Sequence, residues 1–411
     1  MALNLQAYFH LTFLGTTLFS LPSIHLRLAR ASSPPIQALV APITKDTDTS
    51  LYTLSISRKQ YLLDLSGPRL WSPCSPTHPT VPCSSGECAA AGSGAPKFRD
   101  GQCTCIARPT NPVTGERAVG DLTLTDVAKN ATDGKTPTAE VTVHGVVSSC
   151  APDSLLRSFP TAAAGDAGLG RGSLCLPAQL YAKLSLTKRQ FAICLPSTAV
   201  APGVAFFGSG PYGLMPPTQF DAGAALSYTD LVRDPRRPTA YGIRLRGIAV
   251  NQEAVPLPAG ALGRGGGVTL DTAVPYTVLR RDVYRPFVDA FRRATALVPR
   301  AERAALRAVL RQRRARVHAG RVRGGAGGPD DGARGRQLDG VRRHSLAQVA
   351  PDVACLAFVD GGWAAPSAVA VGGFQMENNF LLFDEAASRL GFSGTLMFIR
   401  TPCGNFIFSR T

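Results

Sequence analysis

Residues 61–71, YLLDLSGPRLW, and residues 268–279, VTLDTAVPYTVL, decide how the chain is read. In each, an apolar strand start ends on an aspartate, Asp64 or Asp271, a proline follows four residues later (Pro68, Pro275), and apolar residues resume. One such aspartate is an ordinary hydrogen-bonded turn residue. The same pattern once in each half is a repeat, and it predicts two similar lobes, each presenting one carboxylate on a turn where they meet. Later apolar-glycine stretches, GDAGLGRG in the first half and AVAVGGFQMENNFLLFDEAASRLGFS in the second, extend the repeat.

Around these turns the chain is built from short alternating runs, among them GDLTLTDVA, AEVTVHGVV, GVAFFGSG, YGIRLRGIAV and NFLLFDEAASRLGFS, punctuated by glycine and proline. That is strand chemistry at the spacing of a sandwich or barrel. Helical patterns are few: PDSLLRSF, PAQLYAKLS and RRDVYRPFVDAFRRATA. The predicted class is all-β with minor helices. At 411 residues the chain is too long for one ordinary core and suits two lobes.

Ten cysteines are present, five of them between Cys74 and Cys105 in Pro-, Ser- and Gly-rich sequence. Such a loop needs staples, which an oxidising compartment supplies as disulfides. Zinc is the rival for Cys103-x-Cys105, but no histidine lies nearby and the spacing is poor. Residues 1–31 carry an apolar stretch suited to a secretory signal peptide although a basic start is missing. Asn130-Ala-Thr132 is a glycosylation sequon. No apolar run is long enough to span a membrane.

The segment from Arg292 to Arg343 stands apart. It holds 15 Arg against 4 acids, for +11 of the chain's net +16, and no Phe, Tyr, Trp or Ile occurs between Phe291 and Phe358. Sequence of that kind buries too little surface to offset its ordering entropy. It is expected to be the least ordered part, with at most one basic helix over RAERAALRAVLRQRRARV. It reads as a basic arm for acidic partners, a solvated insertion, or a stretch translated in a shifted frame, and its abrupt edges favour the last. Aromatic residues for base stacking are missing, so nucleic acid is not an expected partner.

Several stretches carry a family resemblance. FLLFDEAASRLGFS resembles the closing strands of pepsin-like proteins. SSCAPDSLLRSFP, GLGRGSLCLPAQL, AICLPS, GIAVNQEAVPLPAGAL and LRRDVYRPFVDAF are similar to the plant TAXI-type xylanase inhibitors and their basic-globulin relatives, a branch of the pepsin-like aspartic protease family. The similarity spans residues 35–295 and 344–403. It implies a secreted (apoplast or cell wall), monomeric, bilobal pepsin-like fold with lobes over 35–215 and 225–403, the second interrupted by 295–343. It further implies no cofactor or metal, a Cys194–Cys403 bridge between the lobes, and a microbial endoxylanase or other glycoside hydrolase as partner in plant defence. Inhibitors of this branch use a histidine just before the C-terminal cysteine, and here FSGTLMFIRTPC has none.

Under this resemblance Asp64 and Asp271 take the places of the catalytic dyad. Aspartic proteolysis needs two carboxylates sharing one proton around a held water. Each loop then wants a threonine to grip its twin, a glycine for close approach and a hydroxyl on the carboxylate. Asp271-Thr272-Ala273-Val274 keeps only the threonine, and Asp64-Leu65-Ser66-Gly67 loses it. The flap stretch, NPVTGERAVGDL, lacks its tyrosine. The sequence therefore predicts a degenerate dyad in a binding or inhibitory protein. The alternative is an aspartic-type endopeptidase using Asp64 and Asp271.

Overall fold

The structure is a computed structural model that describes residues 36–408 apart from 93–96, 100, 215–219, 264–266, 298–308, 312–321, 327–335, 341 and 351–352. The signal-peptide expectation for residues 1–31 lies outside the described residues.

Among the described residues eighteen strands form one sheet, and a single strand pairing carries it from one half of the chain to the other. Strand Ala38–Lys45 pairs with Gly203–Gly208, which pairs with Gln190–Cys194. Gln190–Cys194 then runs antiparallel to Phe380–Asp384, with Gln190 opposite Asp384 and Cys194 opposite Phe380. From there the sheet continues through Arg389–Phe392 to Ser227–Asp234 and Arg237–Ile243. Every residue of Gln190–Cys194, Gly203–Gly208 and Phe380–Asp384 is buried, so these runs are apolar on both faces rather than alternating. The pepsin-like architecture of the sequence reading is the architecture observed.

Side chains reinforce the join. Phe191 stacks on Phe383 with ring centroids 4.6 Å apart, and Tyr241 packs edgewise or tilted against both. Lys45 pairs with the buried Glu377, whose Oε1 also accepts a 2.7 Å hydrogen bond from the Tyr52 hydroxyl. Cys194 and Cys403 are joined by a disulfide across 209 residues.

The aspartate repeat becomes a structural one. Lys59–Asp64 lies parallel to Ala163–Gly168, with Gly168 opposite Asp64. Val268–Leu270 lies parallel to Val369–Val371, and the Asp271 N–H continues that ladder to the Val371 carbonyl. Each aspartate thus closes a strand held by a parallel neighbour from far along the chain. Helix Arg281–Ala294 covers the second lobe with Val283, Tyr284, Phe287, Val288 and Phe291 buried along one stripe.

The cysteine-rich loop is stapled by Cys83–Cys103 and Cys88–Cys105, and its root by Cys74–Cys150. Cys103 and Cys105 are therefore disulfide partners, not metal ligands. The basic segment calls for a correction. Where at most one basic helix was expected over residues 300–317, Val309–Arg311 is a strand antiparallel to Val353–Leu356. Val322–Ala326 likewise pairs with Leu245–Val250 and with Arg336–Gly340. Open strand edges capture backbone hydrogen-bonding groups whatever the side chains are, which is why arginine- and glycine-rich sequence pairs here. The remainder of residues 295–343 lies outside the described residues, apart from Thr295–Leu297, Arg342 and Arg343.

Closing a loop of this length is worth roughly 5 kcal/mol in the chain-entropy model. Cys403→Ser is expected to lower unfolding stability by about 3–5 kcal/mol in urea titration, and non-reducing peptide mapping should recover Cys194 joined to Cys403. Recovery of Cys403 as a thiol in the native protein contradicts this.

Candidate functional site

Asp64 ends its strand fully inside the fold, only 3% exposed, while Asp271 is half-buried. Backbone N–H groups hold the two carboxylates. Ser66 N–H donates to Asp64 Oδ1 at 2.7 Å, with a further bond from Gly67, and Ala273 N–H donates to Asp271 Oδ1 at 3.0 Å. Burial, and secondarily the Asp271 carboxylate, pushes Asp64 up to about 7. Burial raises Asp271 as well, opposed by the Ala273 N–H and by Arg237.

Half of the grip between the loops exists. Thr272 is fully buried; its hydroxyl donates to the Leu63 carbonyl at 2.5 Å and accepts from the Leu65 N–H at 3.1 Å. On the twin position Leu65 sends an alkyl side chain into the main core. It has nothing to return, so the second loop holds the first without being held in kind. The stretch aligned with the flap is a turn over residues 111–116, pinned by the buried Asn111 side chain to the Leu155 and Arg157 carbonyls. Trp71 packs on Phe159 at 5.5 Å, and its indole N–H finds no acceptor among the described residues.

A third carboxyl enters the site that sequence reasoning did not weigh. Asp166, 1% exposed on strand Ala163–Gly168, lies opposite Leu62 and Trp71. A Cβ at Gly67 would sit 2.8 Å from Asp64 Oδ2 and 3.1 Å from Asp166 Oδ2, so both oxygens converge over a residue that leaves them room. Asp166 Oδ1 has no hydrogen-bond partner among the described residues. Burial and then the Asp64 charge hold the Asp166 carboxyl well above its ordinary range. Two like charges this close in a dry site do not both ionise. Cys175, a buried thiol hydrogen-bonded to the Pro68 carbonyl at 3.2 Å, closes the other side and is itself raised by burial. The only sign of Asp166 in sequence is an acid inside the otherwise small and apolar run AAGDAGLG.

The remaining candidate, Asn130, is half-buried on Gly120–Thr132 between Val40 and Glu140. The hydroxyl of its sequon partner Thr132 donates to the Thr136 carbonyl at 2.7 Å.

The raised carboxyls fix a pH dependence. An unfolded chain releases the Asp64 proton near 3.8, whereas the folded one keeps it to about 7. The folded state therefore binds the extra proton in that window, and this contribution is fully present below it and lost as pH rises through it. For Asp64 alone the loss is roughly 4 kcal/mol. Thermal melts across this window should show a steeper fall of stability with pH in the natural protein than in Asp64→Asn, which lacks the raised carboxyl. Equal slopes would mean that the Asp64 carboxyl is not raised.

Comparison with known proteins places this geometry. Residues 55–209 match the family described as xylanase inhibitor N-terminal, and residues 240–394 the family described as xylanase inhibitor C-terminal. The chain is 41% identical to a protein named chitinase CLP from Oryza sativa subsp. japonica, over 96% of this chain and 99% of that one. The solved structure of edgp superposes with a TM-score of 0.83 at 29% identity, covering 92% of this chain and 100% of its own. An aspartic proteinase from Irpex lacteus matches at a TM-score of 0.57 and 14% identity, over 89% of this chain and 99% of its own, a likeness of fold alone. With both halves matched in order across the join, the chain belongs to the xylanase-inhibitor family of pepsin-fold proteins.

Proposed function

We propose that the protein is a secreted, non-proteolytic member of this family that binds and inhibits a microbial glycoside hydrolase. One observation carries the negative half of the reading: the fully buried Leu65 occupies the position from which the first loop would grip the second. A displacement of about 1 Å at a reacting centre costs on the order of 100-fold in rate, and here the grip is one-sided. Asp166 adds a competitor for the proton that Asp64 and Asp271 would have to share. Four disulfides among the described residues agree with an extracellular setting.

The positive half rests on the family and on the loops. The chain between the last strand and Cys403 ends in a short turn, Leu396–Ile399, followed by Arg400 in a left-handed conformation. Ile399 and Arg400 are both exposed, on a loop anchored at its base by the Cys194–Cys403 bridge. Glycoside hydrolases carry a pair of carboxyl groups in an open cleft, and a guanidinium on a fixed loop is a suitable ligand for such a pair. A guanidinium in place of the imidazole used by xylanase-blocking members points to a target other than the usual xylanases.

A second reading keeps the dyad as a catalyst, an aspartic-type endopeptidase using Asp64 and Asp271, and is favoured by the survival of both aspartates at the join. One set of assays separates the two. The purified protein is expected to leave denatured protein and chitin oligomers intact from acid to neutral pH, and to inhibit at least one member of a panel of microbial endoxylanases, endoglucanases and chitinases. Arg400→Glu should weaken that inhibition at least tenfold (about 1.4 kcal/mol), while Asp64→Asn leaves it unchanged. Proteolysis that disappears in Asp64→Asn or Asp271→Asn would establish the second reading instead.

A further inference from the structure

Away from the carboxylates, His78 stands beside the disulfide at the root of the cysteine-rich loop. Its Nε2 lies 3.0 Å from Asp121 Oδ2 and 3.8 Å from Cys150 Sγ, and its Nδ1 contacts the Ser75 carbonyl. His78, Asp121 and Cys150 form one tight group of potential ligand atoms. The sulfur is already bonded to Cys74, however, so the group has chemistry other than metal binding.

Hydrogen-bond valence fixes where the protons are. A carbonyl oxygen only accepts, so His78 Nδ1 carries a hydrogen. Nε2 then faces a carboxylate oxygen, and a 3.0 Å contact between them needs one further proton, held on either atom. That proton lies beside a disulfide sulfur in a pocket where the His78 and Asp121 side chains are only 12% and 9% exposed. The two ends of the disulfide also differ. Cys150 is 2% exposed, whereas Cys74, alone among the eight disulfide-bonded cysteines described, is exposed.

We propose that Cys74–Cys150 is a thiol-exchange site, opened by dithiol reductants with the His78–Asp121 pair as proton donor. A thiolate of the dithiol attacks the exposed Cys74 Sγ and forms a new S–S bond to it. The Cys74–Cys150 bond breaks, and its electron pair leaves on Cys150 Sγ. The proton held between Nε2 and Oδ2 moves to that sulfur, which makes Cys150 the better leaving group. The second thiol of the dithiol then attacks the mixed disulfide, releases Cys74 as a thiol and closes into a cyclic disulfide. The dithiol loses two electrons and two protons. The protein disulfide gains both electrons; one proton ends on Cys74 and the other, through solvent, restores the His78–Asp121 pair. Opening frees the root of the loop from the strand Pro137–Ala151 and leaves the inner bridges Cys83–Cys103 and Cys88–Cys105 closed.

The test is graded reduction of the native protein with dithiothreitol, acid quenching and isotopic alkylation, read by peptide mass mapping. Cys74 and Cys150 are expected to label first and together. His78→Gln and Asp121→Asn should each slow that opening on the order of tenfold, measured against the opening of Cys88–Cys105 in the same sample. That internal standard distinguishes lost proton donation from general loosening, because a loosened variant opens both bridges faster. Prior opening of either inner bridge, or an unchanged ratio of rates in both variants, would overturn the proposal.

Discussion

The antiparallel contact between Gln190–Cys194 and Phe380–Asp384 is the interaction on which the rest depends. It is made of two strands whose ten residues are all buried, with the Phe191 and Phe383 rings face to face at its centre. Burying an aromatic pair of this kind removes several hundred square ångströms of apolar surface from water, and the sheet on either side inherits its orientation from that contact. The turns bearing Asp64 and Asp271 come together because each is the end of a strand in a sheet that this pairing makes continuous.

At the site, burial stabilises the Asp64 and Asp166 carboxyls in their protonated form. Here Asp64 and Asp166 sit in a pocket of glycine, leucine and tryptophan, and among the described residues no cationic side chain pairs with either carboxyl. Burial outweighs the N–H bonds that Asp64 accepts from Ser66 and Gly67, and so favours the neutral form. A neutral carboxyl donates a hydrogen bond and packs like an amide, so the pair contributes to the interior of the first lobe.

Much of this was legible in the sequence. The Asp–x–x–x–Pro repeat, the alternating runs and the dense cysteines each follow from local chemistry, and local chemistry is what a sequence displays. The missing threonine at Leu65 was visible in the sequence, and the structure shows an alkyl chain in its place. Asp166 was not legible, because its place beside Asp64 arises from a parallel pairing between strands far apart in the chain. No periodicity announces which distant strand will become a neighbour. In the arginine-rich segment composition argues against independent order but does not display strand pairing, because a strand edge supplied by Leu245–Val250 needs only backbone partners. His78 likewise looked unremarkable among prolines and serines until folding set Asp121 and Cys150 around it.

The bridge from Cys194 to Cys403, laid over a sheet that already crosses between the halves, has a kinetic consequence. A hinge between lobes needs a few residues that absorb a change in backbone angle, and here the crossing point is both hydrogen-bonded and covalently closed. The loops on either side are consequently presented as one preorganised surface. Association with a partner then carries little cost for ordering the protein itself, so encounter should proceed in a single phase without a slow isomerisation. Differences in affinity between partners would arise mainly in how fast they leave.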